Sequence, residues 1–477
     1  LGAGAVVMET LSSNDSRRPY EKIELIRKLR PDMVLLSGGV DGGVQKHVVE
    51  MAQLFGAADP RPRLGVNYKL PVIFAGNKDV REQIKKTLGS KTALEIVDNI
   101  RPTLEEENLQ PARLKIQSQF LEHVMAHAPG YPKLMAMTDE QIMPTPAAVG
   151  MIMQRVAQTR SINILGVDIG GATTDVFSVF DGHFNRTVSA NYGMSYSISN
   201  VVAEAGLNNV MRWVPFDVDE PQLRNRVKNK MIRPTSIPYL MEDLEIEQAI
   251  CREALRLSFE QHALLADGLK GVQHQAEIGS IFSQGEKRSL IDPMRLDMLI
   301  GSGGVLSHAP ERWQTAWMLL DSYLPCGITQ LAVDSIFMMP QLGVLSSILP
   351  EAAAYVFEKD CLIELGTCVA PRFTNGKAAA PGQDLLKVEL EGEGSFILHI
   401  GEIKVKKLPV GQSIKARLLP LGRTDVGQGA GQAVECVLKG GTTGIIFDGR
   451  GREPFVLPQE RSVLISKLQE WKAALKG

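Results

Sequence analysis

Ser161-Ile-Asn-Ile-Leu-Gly-Val-Asp168, followed at once by Ile169-Gly-Gly-Ala-Thr-Thr-Asp175, is the most informative stretch of this chain. The first part is an apolar run that predicts a buried strand ending on an acid. The second is a tight polar turn, after which Val176–Phe180 resumes as a strand and Asp181-Gly182 predicts a two-residue hairpin. A strand–turn–strand unit of this composition can present backbone amides to a phosphate, because Gly170 and Gly171 allow close backbone approach. Thr173 and Thr174 add hydroxyl donors. Asp168 and Asp175 repel a phosphate directly, so they fit a role in ordering Mg²⁺ through water or orienting an attacking water. Two acids around a phosphate cradle form the composition that phosphoanhydride hydrolysis requires.

Downstream, Met298-Leu-Ile-Gly-Ser-Gly-Gly-Val305 repeats the pattern of an apolar strand entering a glycine turn. Without side chains in the way, Gly301, Ser302, Gly303 and Gly304 can lie against an adenine or a ribose. The two glycine turns together predict the two halves of a nucleotide site, separated by a helix-rich stretch whose longest periodic segment is Glu242–Leu265. Beyond it, Ser335–Leu345 predicts a helix with Gly343 at a close crossing.

Upstream, strands at Gly4–Glu9, Met33–Ser37 and Pro71–Ala75 alternate with helices near Tyr20–Arg30, Val44–Phe55 and Asp79–Leu88, the pattern of a parallel sheet. The loops Ser37-Gly-Gly-Val-Asp-Gly-Gly43 and Gly76-Asn77-Lys78 follow strand ends, where α/β folds place ligands, although tight turns alone also demand glycine. Helices are expected at Pro111–Ala128 and Pro146–Gln158. His123 and His127 share a helix face but lack the Glu of an H-E-x-x-H motif, so a packed or solvated pair is the better reading. After about residue 362, short strands at Leu386–Leu390, Ser395–Ile400, Ser413–Leu418, Ala433–Leu438 and Thr443–Phe447 precede a closing helix, Arg461–Lys476. Gly427-Gln-Gly-Ala-Gly431 imitates a phosphate loop but enters a strand, not a helix, so it is not read as a dinucleotide fingerprint.

Length and composition bound these readings. The chain has 477 residues, 44% hydrophobic and 22% charged, which excludes a disordered protein and suggests about three domains. A net charge of −2 argues against nucleic acid or anionic membrane as a dominant partner. No apolar run reaches the ~18 residues of a membrane helix. Five scattered cysteines, none in a C-x-x-C pair, argue against a disulfide framework or thiolate zinc site and point to a reducing cytoplasm. The start, Leu1-Gly-Ala-Gly-Ala-Val-Val, is not a signal peptide, and without an initiator Met it suggests a chain cut from a longer one.

At Asp168–Asp175 and Gly301–Val305 the chain resembles the actin, heat-shock chaperone and sugar kinase ATPase superfamily, in its second phosphate motif and its adenosine motif. Met143-Pro-Thr-Pro-Ala-Ala-Val149 is similar to the connecting helix of that superfamily. More narrowly, these motifs together with Leu1-Gly-Ala-Gly-Ala, Leu36–Gly43 and Ala75-Gly-Asn-Lys78 resemble the glutamate mutase L (MutL/GlmL) family over nearly the whole chain.

The resemblance implies an α/β, two-lobed actin-like ATPase (ribonuclease H-like) architecture with an inserted or adjoining parallel α/β region and a C-terminal β-rich domain. The corresponding domains are 1–135 (α/β), 136–361 (second ATPase lobe with both motifs) and 362–477 (β-rich, ending in a helix). It implies ATP or ADP with Mg²⁺ as cofactors. Asp168 and Asp175 would be the catalytic and metal-ordering acids, Gly170, Gly171, Thr173 and Thr174 the phosphate ligands, and Gly301 to Gly304 the adenosine contacts. It further implies a cytoplasmic reactivating chaperone whose partner is a subunit of an adenosylcobalamin-dependent aminomutase, and it leaves a homo-oligomer open. The partner surface is expected on the methionine-rich Met135–Met153 stretch or the 362–477 region. A small-molecule kinase on the same fold, or a nucleotide-free scaffold for a mutase subunit, are the alternatives. Two features depart from the superfamily. Its first phosphate motif, an Asp-x-Gly-Ser/Thr strand turn, is absent here, and Met143 stands where chaperones carry a metal-linked acid.

Overall fold

The computed structural model describes residues 5, 7–62, 69–123, 129–140, 142–266, 290–377 and 380–477. They fall into two compact units, one within Leu1–Ile142 and the other comprising Met143–Asp267 and Arg288–Gly477.

In the first unit, β1 (Val34–Leu36), β2 (Pro71–Phe74) and β3 (Ala93–Ile96) form a parallel sheet in the order β1-β2-β3. The expected helices appear at Pro19–Leu29, Lys46–Ala58 and Arg81–Leu88. Their apolar faces, with Val48, Ala52, Phe55, Ile84 and Leu88, close over Val72 and Phe74 to make a separate core. Two local expectations change. Residues 7–9 form no strand, and Gly4 lies outside the described residues. The third strand is instead β3, whose four half-buried residues include a glutamate and so lack a clear apolar signature. The helix read at Pro111–Ala128 runs Gln110–His123; residues 124–128, and so the His123–His127 pairing, fall outside the described residues.

The second unit is built on an eight-stranded sheet. β4 (Ile164–Ile169), β5 (Thr174–Phe180) and β6 (His183–Ser189) form an antiparallel meander. The β5–β6 turn is Asp181-Gly182, both with positive φ (51° and 78°), the geometry that two-residue hairpins favour. β7 (Met298–Ser302) and β8 (Gly327–Asp334) then run parallel to β4 on its other side, so the spatial order is β6-β5-β4-β7-β8. Leu165, Val167 and Ile169 face a core that includes the Met241–Ala266 and Arg312–Tyr323 helices. Ile164, Phe177, Met298 and Ile300 face the opposite core, closed by Val149, Ile152, Met153 and Val156 of the Thr145–Arg160 helix. Burial on both faces is why these strands read as nearly continuous apolar runs.

The Thr145–Arg160 helix crosses the Met339–Leu345 helix at Gly343, where a Cβ would lie 1.9 Å from the Ala148 carbonyl oxygen. Only glycine permits that approach, as the sequence suggested.

Residues 362–477, read from sequence as a β-rich region, contribute in two ways. β9 (Leu362–Ala370), β10 (Arg372–Phe373), β11 (Asp384–Leu390), β12 (Gly394–His399), β13 (Ile403–Lys406), β14 (Ser413–Pro420), β15 (Thr424–Asp425), β16 (Val434–Lys439) and β17 (Ile445–Asp448) follow one another. β9, β17 and β13 extend the eight-stranded sheet beyond β8, while β12-β11-β14-β16 form a four-stranded antiparallel sheet with its own core. β10 and β15 make a short ladder.

A buried ionic network ties this region to the sheet's helices. Asp321 accepts from Arg252 Nε (2.7 Å) and Arg450 Nη1 (2.6 Å), and Asp448 accepts from Arg450 Nε (2.9 Å) and from Nη2 of both Arg450 and Arg452 (2.8 Å each). The arginines also stack on aromatic rings, Arg252 on Trp317 at 4.6 Å and Arg450 on Trp471 at 5.1 Å. Trp471 belongs to the Arg461–Lys476 helix, which forms with the bounds read from sequence.

Candidate nucleotide site

Three parallel strands, β4, β7 and β8, end at the same edge of the eight-stranded sheet, and β5 starts there. The chain leaves β4 toward β5 on one side, whereas β7 lies on the other, so this edge is a topological switch point, where open α/β sheets bind ligands.

The register places the candidate acids in one row. Asp168 is opposite Asp175 across the β4–β5 pair and opposite Ser302 across the β4–β7 pair. Gly301 pairs with Val333, so Asp334 ends β8 immediately beyond that register pair. Asp175, Asp168, Ser302 and Asp334 thus follow one another across four strands.

Burial makes these carboxyls reluctant to ionise. Burial first, and then the Asp334 carboxylate, push Asp168 up to about 6, opposed by its hydrogen bond with Ser302. Asp175 is pushed further, to about 8, by burial and then by the Asp168 charge, with Arg186 opposing. One of its carboxyl oxygens, Oδ1, is buried with no hydrogen-bond partner among the described residues. Asp334 is also raised by burial, but its carboxylate accepts from the Ile336 and Met339 amides at 3.2 Å each, which favours the anion. Asp334 is the site residue that reading the sequence missed. Its signal is weaker than that of Asp168: the stretch before it, Ile328-Thr-Gln-Leu-Ala-Val333, carries two polar residues, and only Leu331-Ala-Val333 is apolar up to the acid.

The two glycine turns flank this row. The first is closed by the Gly170 amide donating to the Thr173 carbonyl at 2.8 Å. From below, the Met194 amide donates to Gly170 O at 3.0 Å, and the Ser195 and Tyr196 amides donate to Gly171 O at 2.8 and 2.9 Å. Gly170 and Ala172 are exposed, Gly171 and Thr173 half-buried. Thr174 differs: it is fully buried and its hydroxyl donates to the Tyr192 carbonyl, so it holds the turn in place.

In the second turn Gly303 has a φ of +105°, and a Cβ there would lie 2.1 Å from the Ile169 carbonyl oxygen. The two turns therefore touch backbone to backbone, and any larger residue at 303 would force them apart. Gly304 is exposed at the start of a short helix, Gly304–Ser307. Gly301 lies within β7, and a side chain there would meet Leu306 and Leu319 at 3.0 and 3.3 Å. Its position is one of packing behind the turn, not of exposure at its rim.

The first unit has a smaller arrangement of the same kind. The Asp41 carboxylate accepts from Asn99 Nδ2 (2.9 Å) and the Lys78 amide (3.0 Å), and buried Asn77 donates to the Gly43 carbonyl (3.2 Å). These bonds fix the Ser37–Gly43 loop at the carboxyl edge of the β1-β2-β3 sheet.

A 3-2-1-4-5 sheet (β6-β5-β4-β7-β8), with two glycine turns over a row of acids at its switch point, defines a ribonuclease H-like lobe of the actin-like ATPase class, in a mixed α/β chain with a β-rich C-terminal region. The family described as MutL protein matches residues 1–361, and the chain belongs to that family, the glutamate mutase L family. It is similar to Protein MutL of Clostridium tetanomorphum, at 25% identity over 385 residues that span 75% of this chain and 78% of the relative. A solved structure, the Acidaminococcus fermentans (R)-2-hydroxyglutaryl-CoA dehydratase component A, aligns over 54% of this chain and 87% of its own length. Its identity is 16% and its TM-score 0.23, a poor overall superposition. No helix among the described residues is long and apolar enough to cross a membrane.

Proposed function

We propose that this protein binds magnesium ATP or ADP at the edge formed by β4, β7 and β8, and uses it as the switch of a reactivating factor for a cobalamin-dependent aminomutase such as glutamate mutase. The observation that carries the nucleotide part is the row Asp175–Asp168–Ser302–Asp334 between two glycine turns in backbone contact. The aminomutase part rests on the family.

The residues fit a magnesium ion. The orphaned Asp175 Oδ1 and two carboxyls raised by burial and then by a neighbouring carboxylate, Asp334 for Asp168 and Asp168 for Asp175, describe a site short of positive charge. Magnesium typically keeps several waters and takes only one or two carboxylates, and among the described residues no three His, Cys, Asp or Glu side chains converge on one point. Asp168 and Asp175 would hold the ion, which when bound supplies the charge that lets both ionise and that offsets the phosphates. Gly170, Gly171 and Thr173 would then offer backbone and hydroxyl donors to the phosphates, with Thr174 fixing the turn. Ser302 orients the Asp168 carboxylate, Gly303 lets the second turn meet the first, and exposed Gly304 would leave room for the nucleoside. Asp168 would also accept a proton from a water attacking the terminal phosphate.

Partner action needs nucleotide to bind two conformations unequally, since a ligand shifts an equilibrium only by its differential affinity. The test is recovery of an inactivated mutase supplied with free adenosylcobalamin and Mg-ATP. Recovery that requires ATP and is lost in Asp168→Ala supports the proposal. Recovery indifferent to both leaves only a scaffold.

A further inference from the structure

Between β6 and the Ile198–Ala205 helix runs a short segment, residues 192–196, that carries no motif in the sequence. The fold presses it against the Gly170–Thr173 turn. Gly193 is buried, and a Cβ there would lie 2.4 Å from Gly171 O and from the backbone nitrogen and carbonyl carbon of Ala172. Its φ is not in the left-handed region, so glycine is required at 193 by contact and not by conformation. The segment is itself anchored. Met194 is buried in the core with Ile198 and Val201, and the Tyr192 carbonyl accepts from the Thr174 hydroxyl.

These contacts decide where the remaining polar groups of the turn point. The Met194 amide takes the Gly170 carbonyl, and the Ser195 and Tyr196 amides take the Gly171 carbonyl. A trans peptide unit is planar, with its N–H directed opposite to its C=O. The amides of the same two peptide units, those of Gly171 and Ala172, are therefore turned away from the 193–196 segment. Neither meets an acceptor among the described residues. Ala172 is exposed and Gly171 half-buried, so both donors lie on the open side of the turn. Successive backbone amides left open in this way suit an anion.

We infer that residues 193–196 are a positioning element, which aims the Gly171 and Ala172 amides at the phosphates of the bound nucleotide, with Gly193 setting the distance. This rests on the nucleotide site proposed above, and it concerns residues that act through the turn. A methyl group at 193 would displace the backbone of the turn and tilt both peptide units together. The nucleoside, proposed to lie by Gly304 on the other turn, would keep its contacts. The Thr174 hydroxyl secures the same join from β5, through the Tyr192 carbonyl.

The experiment titrates the full chain with Mg-ADP and with adenosine, each followed by calorimetry. Expected is tighter binding of Mg-ADP than of adenosine by the wild type. Gly193→Ala should lose at least about tenfold in Mg-ADP affinity while its adenosine affinity is unchanged, which also certifies its fold. Thr174→Val keeps the side chain's size and removes the hydroxyl, and should lose about threefold or more in the same selective way. It carries the test by itself where Gly193→Ala does not fold. Wild type that binds neither ligand overturns the proposed nucleotide site, and this role with it. Wild type and both variants binding Mg-ADP equally well overturns the positioning role alone. Equal losses of Mg-ADP and adenosine affinity overturn it too, because residues 193–196 would then support the fold and not the aim of the amides.

Discussion

Asp175→Asn gives the row of acids a quantitative test. In the folded chain without a cation, the Asp175 carboxyl is pushed from its ordinary 3.8 up to about 8, by burial and by Asp168. An unfolded chain ionises it near 3.8. Between these values the folded state holds one more proton than the unfolded one, so stability falls as pH rises. The protonated carboxyl's contribution is fully present below pH ~4 and lost by pH ~8, at ~1.4 kcal/mol per unit. Asparagine has the same shape as the protonated acid and does not titrate. The stability of Asp175→Asn relative to wild type should therefore grow by about 2–3 kcal/mol between pH 5 and pH 7. Asp168 is present in both proteins and largely cancels. Urea denaturation followed by tryptophan fluorescence suits the measurement, because all four tryptophans (Trp213, Trp313, Trp317 and Trp471) lie in the second unit. Chelator keeps divalent cations out; adding Mg²⁺ afterwards should shrink the difference. A difference that stays constant from pH 5 to pH 7 would mean Asp175 is ionised when folded, and would refute the account of the row.

Two further substitutions probe the frame around the site. Gly343→Ala puts a methyl where 1.9 Å separates it from the Ala148 carbonyl oxygen, so the helices must part, at a cost of about 2–3 kcal/mol in urea unfolding; a neutral result would contradict the close crossing. Asp448→Asn leaves Arg450 and Arg452 buried without their shared anion and should cost about 3–5 kcal/mol at pH 7. Arg450 and Arg452 hold the Asp448 carboxyl well below the usual carboxylate range, so in the wild type this contribution should persist at mildly acidic pH and fade only below it.

Much of this architecture was legible because it depends on local chemistry. The β4–turn–β5 unit, the Asp181-Gly182 hairpin and the Gly303 turn each need particular residues at particular places, and those residues are in the sequence. So does the Gly343 crossing. What escaped depends on tertiary context. β9 is interrupted by Glu364 and Gly366 and meets β8 with a register shift, which breaks its apolar pattern. β13 is Ile-Lys-Val-Lys, a short edge strand whose lysines discourage further pairing and disguise it as a loop. The Asp334 carboxylate accepts from the Ile336 and Met339 amides, and only the register of β7 and β8 reveals that it also joins the carboxyl row. Thr174 looked equivalent to Thr173, and only packing separates the buried support from the half-exposed donor.

The central claim is that a magnesium nucleotide binds at the Asp168 row. Calorimetric titration of Mg-ADP into the intact protein and into Asp168→Ala tests it most directly. One nucleotide bound per chain by the wild type, and at least a tenfold loss of affinity in the variant, is the predicted result. Equal affinity in the two proteins, or no binding by the wild type, would contradict it.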